Sequence, residues 1–332
     1  FGSSFGPDCS GMSGQHACVR QTLKTVLPAL SGQTRKGQAG RVGIIGGSDH
    51  YTGAPYYTAL GALRCGSELV TIFTAEEAAV PLKCYSPELM VLPVYSTKTM
   101  FSASTELREA EVARMVSAIT DFLPRLHCLV VGPGLGRCPY VARAVASVLV
   151  QARRLPVVVD ADAVRIVGGQ AELVSSLCVL TPNFREFCCL YEQVFNTCLG
   201  QISDRELLEA VAAVSRKMSC VVVCKGATDI CSSGGAEPVL CSDPGSLKRP
   251  GGLGDFLAGT LATLWLHHHR GAQSEPERVC AAACAVVRLA SLRACAVKRR
   301  SLCAVDVADY LADAIEELCP SCQPAGLPAT PN

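Results

Sequence analysis

The chain has 332 residues, with 30 basic against 29 acidic side chains, a formal charge of +1 at pH 7 and 20 cysteines. That near balance argues against a broad electrostatic footprint for nucleic acid or an anionic membrane surface, so a small-molecule partner is expected, with no nucleic acid and no membrane. No apolar run reads as a membrane span and residues 1–10 lack the pattern of a secretory signal, so the chain is expected to be soluble and cytoplasmic, with a mitochondrial location dependent on residues preceding Phe1.

Residues 1–20 are rich in Gly and Ser and read as a disordered segment. Short apolar, β-branched runs follow at 41–45, 68–73, 128–131, 156–159, 178–180 and 220–224, mostly separated by helical patterns. Runs that are apolar on both faces and joined by helix-length crossovers predict a mostly parallel central sheet with helices on both faces, an α/β fold. Residues 230–241, around Ser232-Ser233-Gly234-Gly235, read as an antiparallel hairpin at the sheet edge. From Gly254 to about Leu318 the pattern is helical throughout. No linker divides the chain, so 21–319 is expected to be a single domain, with 320–332 a flexible tail.

The motifs fall at the carboxyl ends of the expected strands, where open sheets of this kind collect ligands. Gly46-Gly47 follows the first run and Gly132-Pro133-Gly134-Leu135-Gly136 follows 128–131. Asp160-Ala161-Asp162, Thr181-Pro182-Asn183 and Lys225-Gly226 follow the next three. The most informative stretch is Gly251-Gly252-Leu253-Gly254-Asp255, a glycine turn and one acid directly before an apolar helix. Such a turn lets the backbone approach a phosphate, and the N–H groups and dipole of the helix favour negative charge there. Asp255 either offsets the helix dipole or acts as a base toward an attacking hydroxyl.

Other residues carry two readings each. Lys225 is a surface lysine or a nucleotide-phosphate ligand. Asp160 and Asp162 hold Mg²⁺ through water or, for Asp162 in particular, cap the next helix. Asn183 and Glu186 are a helix cap with its acid, or a substrate clamp. His267-His268-His269 reads as a solvated helix end, and Cys319-Pro320-Ser321-Cys322 has no second pair at zinc spacing. The cysteines read mostly as reduced core residues. The glycine spacing at 132–136 is not that of a dinucleotide-binding turn, and no Walker, Gly-x-Ser-x-Gly or His-Glu-x-x-His motif is present.

Taken in order, Lys36 to Gly47, Tyr51 to Pro55, Tyr85 to Leu89, Val131 to Arg137, Asp160 to Asp162, Thr181 to Asn183 and Gly251 to Asp255 closely resemble the ATP-dependent NAD(P)H-hydrate dehydratases, within the ribokinase-like superfamily. The resemblance spans about Leu23 to Leu318. It implies a ribokinase-like three-layer sandwich that uses ATP, with Mg²⁺, to phosphorylate the ring hydroxyl of hydrated NADH or NADPH and then eliminate phosphate. Asp255 would be the base, and the N–H groups near Gly252 and Gly254 the anion hole. ATP would lie on Lys225, Gly226, Ala227, Thr228 and Asp229, and on Gly245, Ser246, Leu247, Lys248, Arg249, Pro250, Gly251, Gly252, Leu253 and Gly254. The hydrate would lie on Gly134, Gly136, Asn183, Phe184, Arg185, Glu186, Phe187, Cys188, Cys189 and Asp255. Phe184 and Arg185 depart from animal relatives, where His is common at the first. The resemblance further implies a separate NAD(P)H-hydrate epimerase as functional partner, and leaves a homo-oligomer open. The rival expectations are a kinase of a small alcohol, which would release a phosphorylated product, and a silent nucleotide-binding or scaffold protein.

Overall fold

The computed structural model describes residues 9–28 and 36–319. Among these residues nine strands form one sheet. They are β1 (Arg41–Ile45), β2 (Leu69–Ala75), β3 (Leu89–Tyr95), β4 (Cys128–Val131), β5 (Val157–Val159), β6 (Cys178–Leu180), β7 (Val221–Cys224), β8 (Asp229–Ser232) and β9 (Val239–Cys241). Their order is β3-β2-β1-β4-β5-β6-β7-β8-β9. The first seven strands pair in parallel, and β8 and β9 close that edge as antiparallel strands, the hairpin expected near 230–241.

The sheet grows one way from β1 and the other way from β4, so right-handed crossovers put helices on both faces. One layer holds α2 (Gly53–Arg64), α10 (Leu253–His268), α11 (Pro276–Lys298) and α12 (Ala304–Leu318), with α1 (Cys9–Val26) against α11. In the other, α5 (Thr105–Thr120), α6 (Pro139–Gln151), α7 (Asp162–Val167), α8 (Phe184–Phe195) and α9 (Asp204–Met218) pack in succession. The remaining helices, α3 (Glu76–Tyr85) and α4 (Thr97–Ser102), flank β3 in sequence.

The helix α10 is apolar all round because it is buried on every side except its N-terminus. It crosses α2 closely. A side chain at Gly61 would come within 2.6 Å of the Phe256 carbonyl, and one at Gly259 would run into the Thr58 carbonyl. Ser67 and Thr263 share a buried hydroxyl hydrogen bond of 2.8 Å, and the Trp265 indole donates to the Leu177 carbonyl at 2.7 Å. These contacts fix where α10 begins, and therefore where Asp255 stands.

Four expectations need correction. Residues 9–20 are helical rather than disordered: Val19, Leu23 and Val26, spaced at helical intervals, are buried as one face of α1. Strand β3 was not anticipated, because Pro93 and the exposed Met90 and Leu92 break the apolar pattern, which an edge strand tolerates. His267 is buried, and burial pushes its imidazole down to about 4, so it is not part of a solvated cationic end, whereas His268 is half-buried and His269 exposed. The run 276–301 is long and apolar enough to cross a membrane, but most of it is buried among α1, α10, α12 and the edge strands as a core helix.

The cysteines with described side chains are free thiols, and most are buried, as the reduced-core reading expects. The tail 320–332 and most of the Cys-x-x-Cys lie outside the described residues.

Candidate active site

Strand order reverses between β1 and β4, which leaves a crevice at the carboxyl ends of these strands. The loops after them form a cavity of about 560 Å³, lined by Ser48, Tyr51, Tyr95, Gly134, Gly136, Ala161, Asp162 and Asp255 among others. A second cavity of about 790 Å³ lies off β7 and the edge hairpin. Its walls include Asn183, Lys225, Gly226, Ala227, Asp229, Gly245, Ser246, Leu247, Arg249, Pro250, Gly251, Gly252, Leu253, Gly254, Arg288 and Ser291. Gly254 lines one cavity and Asp255, the next residue, lines the other. The first turn of α10 is therefore the wall between them.

That turn is open to an anion. Among the described residues no side chain caps α10, and its first helical hydrogen bond runs from the Phe256 N–H to the Gly252 carbonyl at 3.0 Å, so the preceding N–H groups have no helical acceptor. Gly252 has φ +109°, and a Cβ there would lie 2.8 Å from Ala304 Cβ and 2.9 Å from the Tyr57 ring. Only glycine suits that position. A Cβ on Gly251 would meet open space, and one on Gly254 would sit 3.2 Å from Lys225 Nζ. The ammonium group therefore stands beside the uncapped helix end.

Lys225 is held there by Asp160, whose Oδ1 accepts from Nζ at 2.7 Å and from the Thr181 hydroxyl at 2.8 Å. Burial works against the Lys225 charge, but Asp160 and Glu186 outweigh it and hold the group above the usual lysine value. Burial raises Glu186 as well, partly offset by Lys225 and by the Asn183 N–H it accepts. Asp255 is the most displaced carboxyl of the group. Burial first, then the charge of Asp160, pushes it up to about 7, against the pull of Lys225. A carboxyl poised near neutrality between two cavities has the basicity suited to accepting a hydroxyl proton.

The structure distributes the sequence-expected residues unevenly. Of the expected nucleotide segment, Thr228 does not line the second cavity, and Lys248 Nζ turns away to the Arg300 carbonyl at 2.9 Å. Asp229 is a wall whose carboxylate is already taken, by the Gly226 N–H at 2.9 Å and Arg288 Nε at 2.7 Å. Gly134 and Gly136 line the Asp255 cavity. Asn183 is on the other side, where it forms a capping box with Glu186 at the start of α8. Phe184 and Arg185 are exposed, Cys188 and Cys189 line neither cavity, and Phe187 is a fully buried core side chain. The helix periodicity of α8 points these side chains in different directions, so they form no continuous face on either cavity.

Asp162 is not a helix cap: Ala161, with φ +49°, holds that position, and the Asp162 carboxylate accepts the Gly136 N–H at 2.9 Å. Residues that sequence reasoning missed include Ser48, Tyr95 and Arg288, which reach the cavities from distant segments. Other walls, among them Tyr51, Ala54, Arg137, Ala161 and Asp162, stood in motifs already singled out.

A parallel sheet with ligand loops at one end, an uncapped glycine turn and a raised aspartate in the first helical turn form a site with the chemistry to hold an anion beside a base. Residues 42–315 match the model of a family described as NAD(P)H-hydrate dehydratase, and the chain belongs to that family. A relative from Arabidopsis thaliana named ATP-dependent (S)-NAD(P)H-hydrate dehydratase is 33% identical over 323 residues, 93% of this chain and 87% of its own length. One of the same name from Pongo abelii is 41% identical over 249 residues, 74% of this chain and 70% of its own. A solved ADP/ATP-dependent NAD(P)H-hydrate dehydratase from Bacillus subtilis, co-crystallised with ATP and Mg²⁺, shares the fold with a TM-score of 0.69 at 20% identity. That alignment covers 90% of this chain and 97% of the solved one.

Proposed function

We propose that this chain uses ATP to dehydrate the S form of hydrated NADH and NADPH, returning the reduced dinucleotide. The observation that carries this reading is the position of Asp255, at the junction of a cavity with a glycine-rich phosphate turn and a second cavity able to take a nicotinamide ring. ATP enters the larger cavity, with its γ-phosphate at the N-terminus of α10. Asp255 takes the proton of the ring hydroxyl as that oxygen attacks phosphorus and the bond to ADP breaks. The N–H groups near Gly252 and Gly254, with Lys225 beside them, stabilise the charge that builds on the transferring group. Phosphate then leaves with the carbon–oxygen bonding pair, the ring nitrogen supplies electrons, and loss of a proton from the neighbouring carbon restores the double bond.

Among the described residues no cluster of three metal-ligating side chains could hold an ion alone. An Mg²⁺ arriving with ATP would therefore rely on phosphate oxygens and water, with Asp160 and Glu186 as the carboxylates next to Lys225. The reading also assigns the R hydrate to a separate epimerase that supplies the S form.

Product analysis tests the reaction. Purified protein incubated with hydrated NADH, ATP and Mg²⁺ should yield NADH, ADP and inorganic phosphate in equal amounts. A phosphorylated hydrate that accumulates without free phosphate would make the chain a kinase. ATP binding without any product would make it a silent nucleotide-binding protein.

A further inference from the structure

The Asp255 cavity does not end at its own walls. A groove of about 350 Å³ adjoins it, bounded by three of the same residues, Gly136, Arg137 and Asp162, and continuing past Arg143 and Arg165. Resting on the dehydratase reading above, we propose that this groove holds the phosphate-bearing far end of the hydrated dinucleotide, with Arg137 at the lip and Arg165 and Arg143 beyond it.

The geometry leaves few other courses. The ring hydroxyl must lie within hydrogen-bond reach of Asp255 for its proton to be taken, which fixes one end of the substrate. A cavity of about 560 Å³ suits a ligand of ordinary small-molecule size, whereas a dinucleotide carries a second nucleoside beyond its pyrophosphate. The other cavity at Asp255 is the one ATP needs. The far end therefore leaves over the Gly136 lip, where a side chain is absent and the loop has φ +78°.

The charges along that course suit phosphate. Asp162 commits one oxygen to the Gly136 N–H and lies only loosely beside Arg137, at 3.9 Å. Arg143 pairs with Glu109 and rests over the Tyr140 ring, which holds its guanidinium in place. Arg165 has no acidic partner among the described residues. Three guanidinium groups against two carboxylates leave the groove cationic, and the planar fork of arginine matches phosphate oxygens two at a time.

The test uses adenosine 2′,5′-bisphosphate as probe, titrated calorimetrically into the full chain with the ATP cavity filled by a non-hydrolysable ATP analogue. Arg165→Ala and Arg137→Ala should each weaken binding about tenfold, the equivalent of one lost charge-assisted contact. In turnover the same variants should raise KM for the hydrates and leave KM for ATP in place. A larger effect on hydrated NADPH than on hydrated NADH assigns Arg165 to the 2′-phosphate, and an equal effect assigns it to the pyrophosphate. Unchanged probe affinity and unchanged KM in both variants would overturn the proposal. Wild-type protein that binds the probe in this groove yet restores neither hydrate would refute the dehydratase reading while upholding the groove.

Discussion

Lys225 Nζ stands 2.7 Å from Asp160 Oδ1, and this pair sits beside the open end of α10 that begins with Gly252 and carries Asp255. Asp160 therefore has two effects: it orients the ammonium group and it raises the carboxyl of Asp255. Asp160→Asn keeps much of the shape and removes the charge. The limb of kcat/KM assigned to Asp255 should move to lower pH, because the substitution deletes a charge that opposes ionisation. The plateau should fall on the order of tenfold as Lys225 loses its anchor. A limb that stays in place would show that Asp160 serves the fold alone.

Asp255 links activity and stability to pH in opposite senses. Its carboxyl rises from 3.8 to about 7 on folding, so between those values the native state binds protons that the unfolded chain has already released. Its contribution to stability therefore falls as pH rises through that window, while the fraction competent as a base increases. The kcat/KM profile should climb with unit slope to a plateau above about pH 7. Asp255→Asn should unfold about 2–4 °C higher than wild type at pH 8 and show no such gain at pH 4. Thermal scans at the two pH values decide this.

Two neighbouring glycines should respond differently to alanine. At Gly252, φ is +109° and the added methyl would press on Ala304 and Tyr57, so Gly252→Ala should cost about 1–3 kcal/mol and distort the anion hole. At Gly251 the methyl meets open space, and Gly251→Ala should stay within about 0.5 kcal/mol of wild type. Urea unfolding of the two variants compares them directly.

Ser48 lines the Asp255 cavity, yet its buried hydroxyl has no partner among the described residues, and it lies 3.6 Å from where a Gly136 side chain would begin. A buried hydroxyl without a partner opposes folding, whereas a bound ring amide could engage it after a rotamer change. Ser48→Ala should therefore leave thermal stability equal or higher and raise KM for the hydrate about three- to tenfold. Loss of stability with no change in KM would show the hydroxyl to be purely structural.

Much of the sheet was legible in the sequence because its central strands are buried on both faces, so runs such as Val157 to Val159 stand out without any polar alternation. Edge strand β3 did not stand out, since Pro93 and exposed Met90 and Leu92 suit a partner on one side only. The uncapped glycine turn ahead of Asp255 was readable because a run of glycines before an apolar helix is a local pattern. The Lys225–Asp160 pair was not, as its members lie 65 positions apart and only strand order brings them together. The same limit applies to α8, where Phe187 belongs to the core and the exposed Phe184 and Arg185 face elsewhere.

The most direct measurement mixes the purified chain with hydrated NADH, ATP and Mg²⁺ and follows the near-ultraviolet absorbance of reduced nicotinamide, in wild type and in Asp255→Asn. Absorbance should return only with ATP present. In the variant it should return at least about a hundredfold more slowly, although ATP still binds. Recovery at the wild-type rate in Asp255→Asn would contradict the role of Asp255, and no recovery in wild type that binds ATP would contradict the proposed reaction itself.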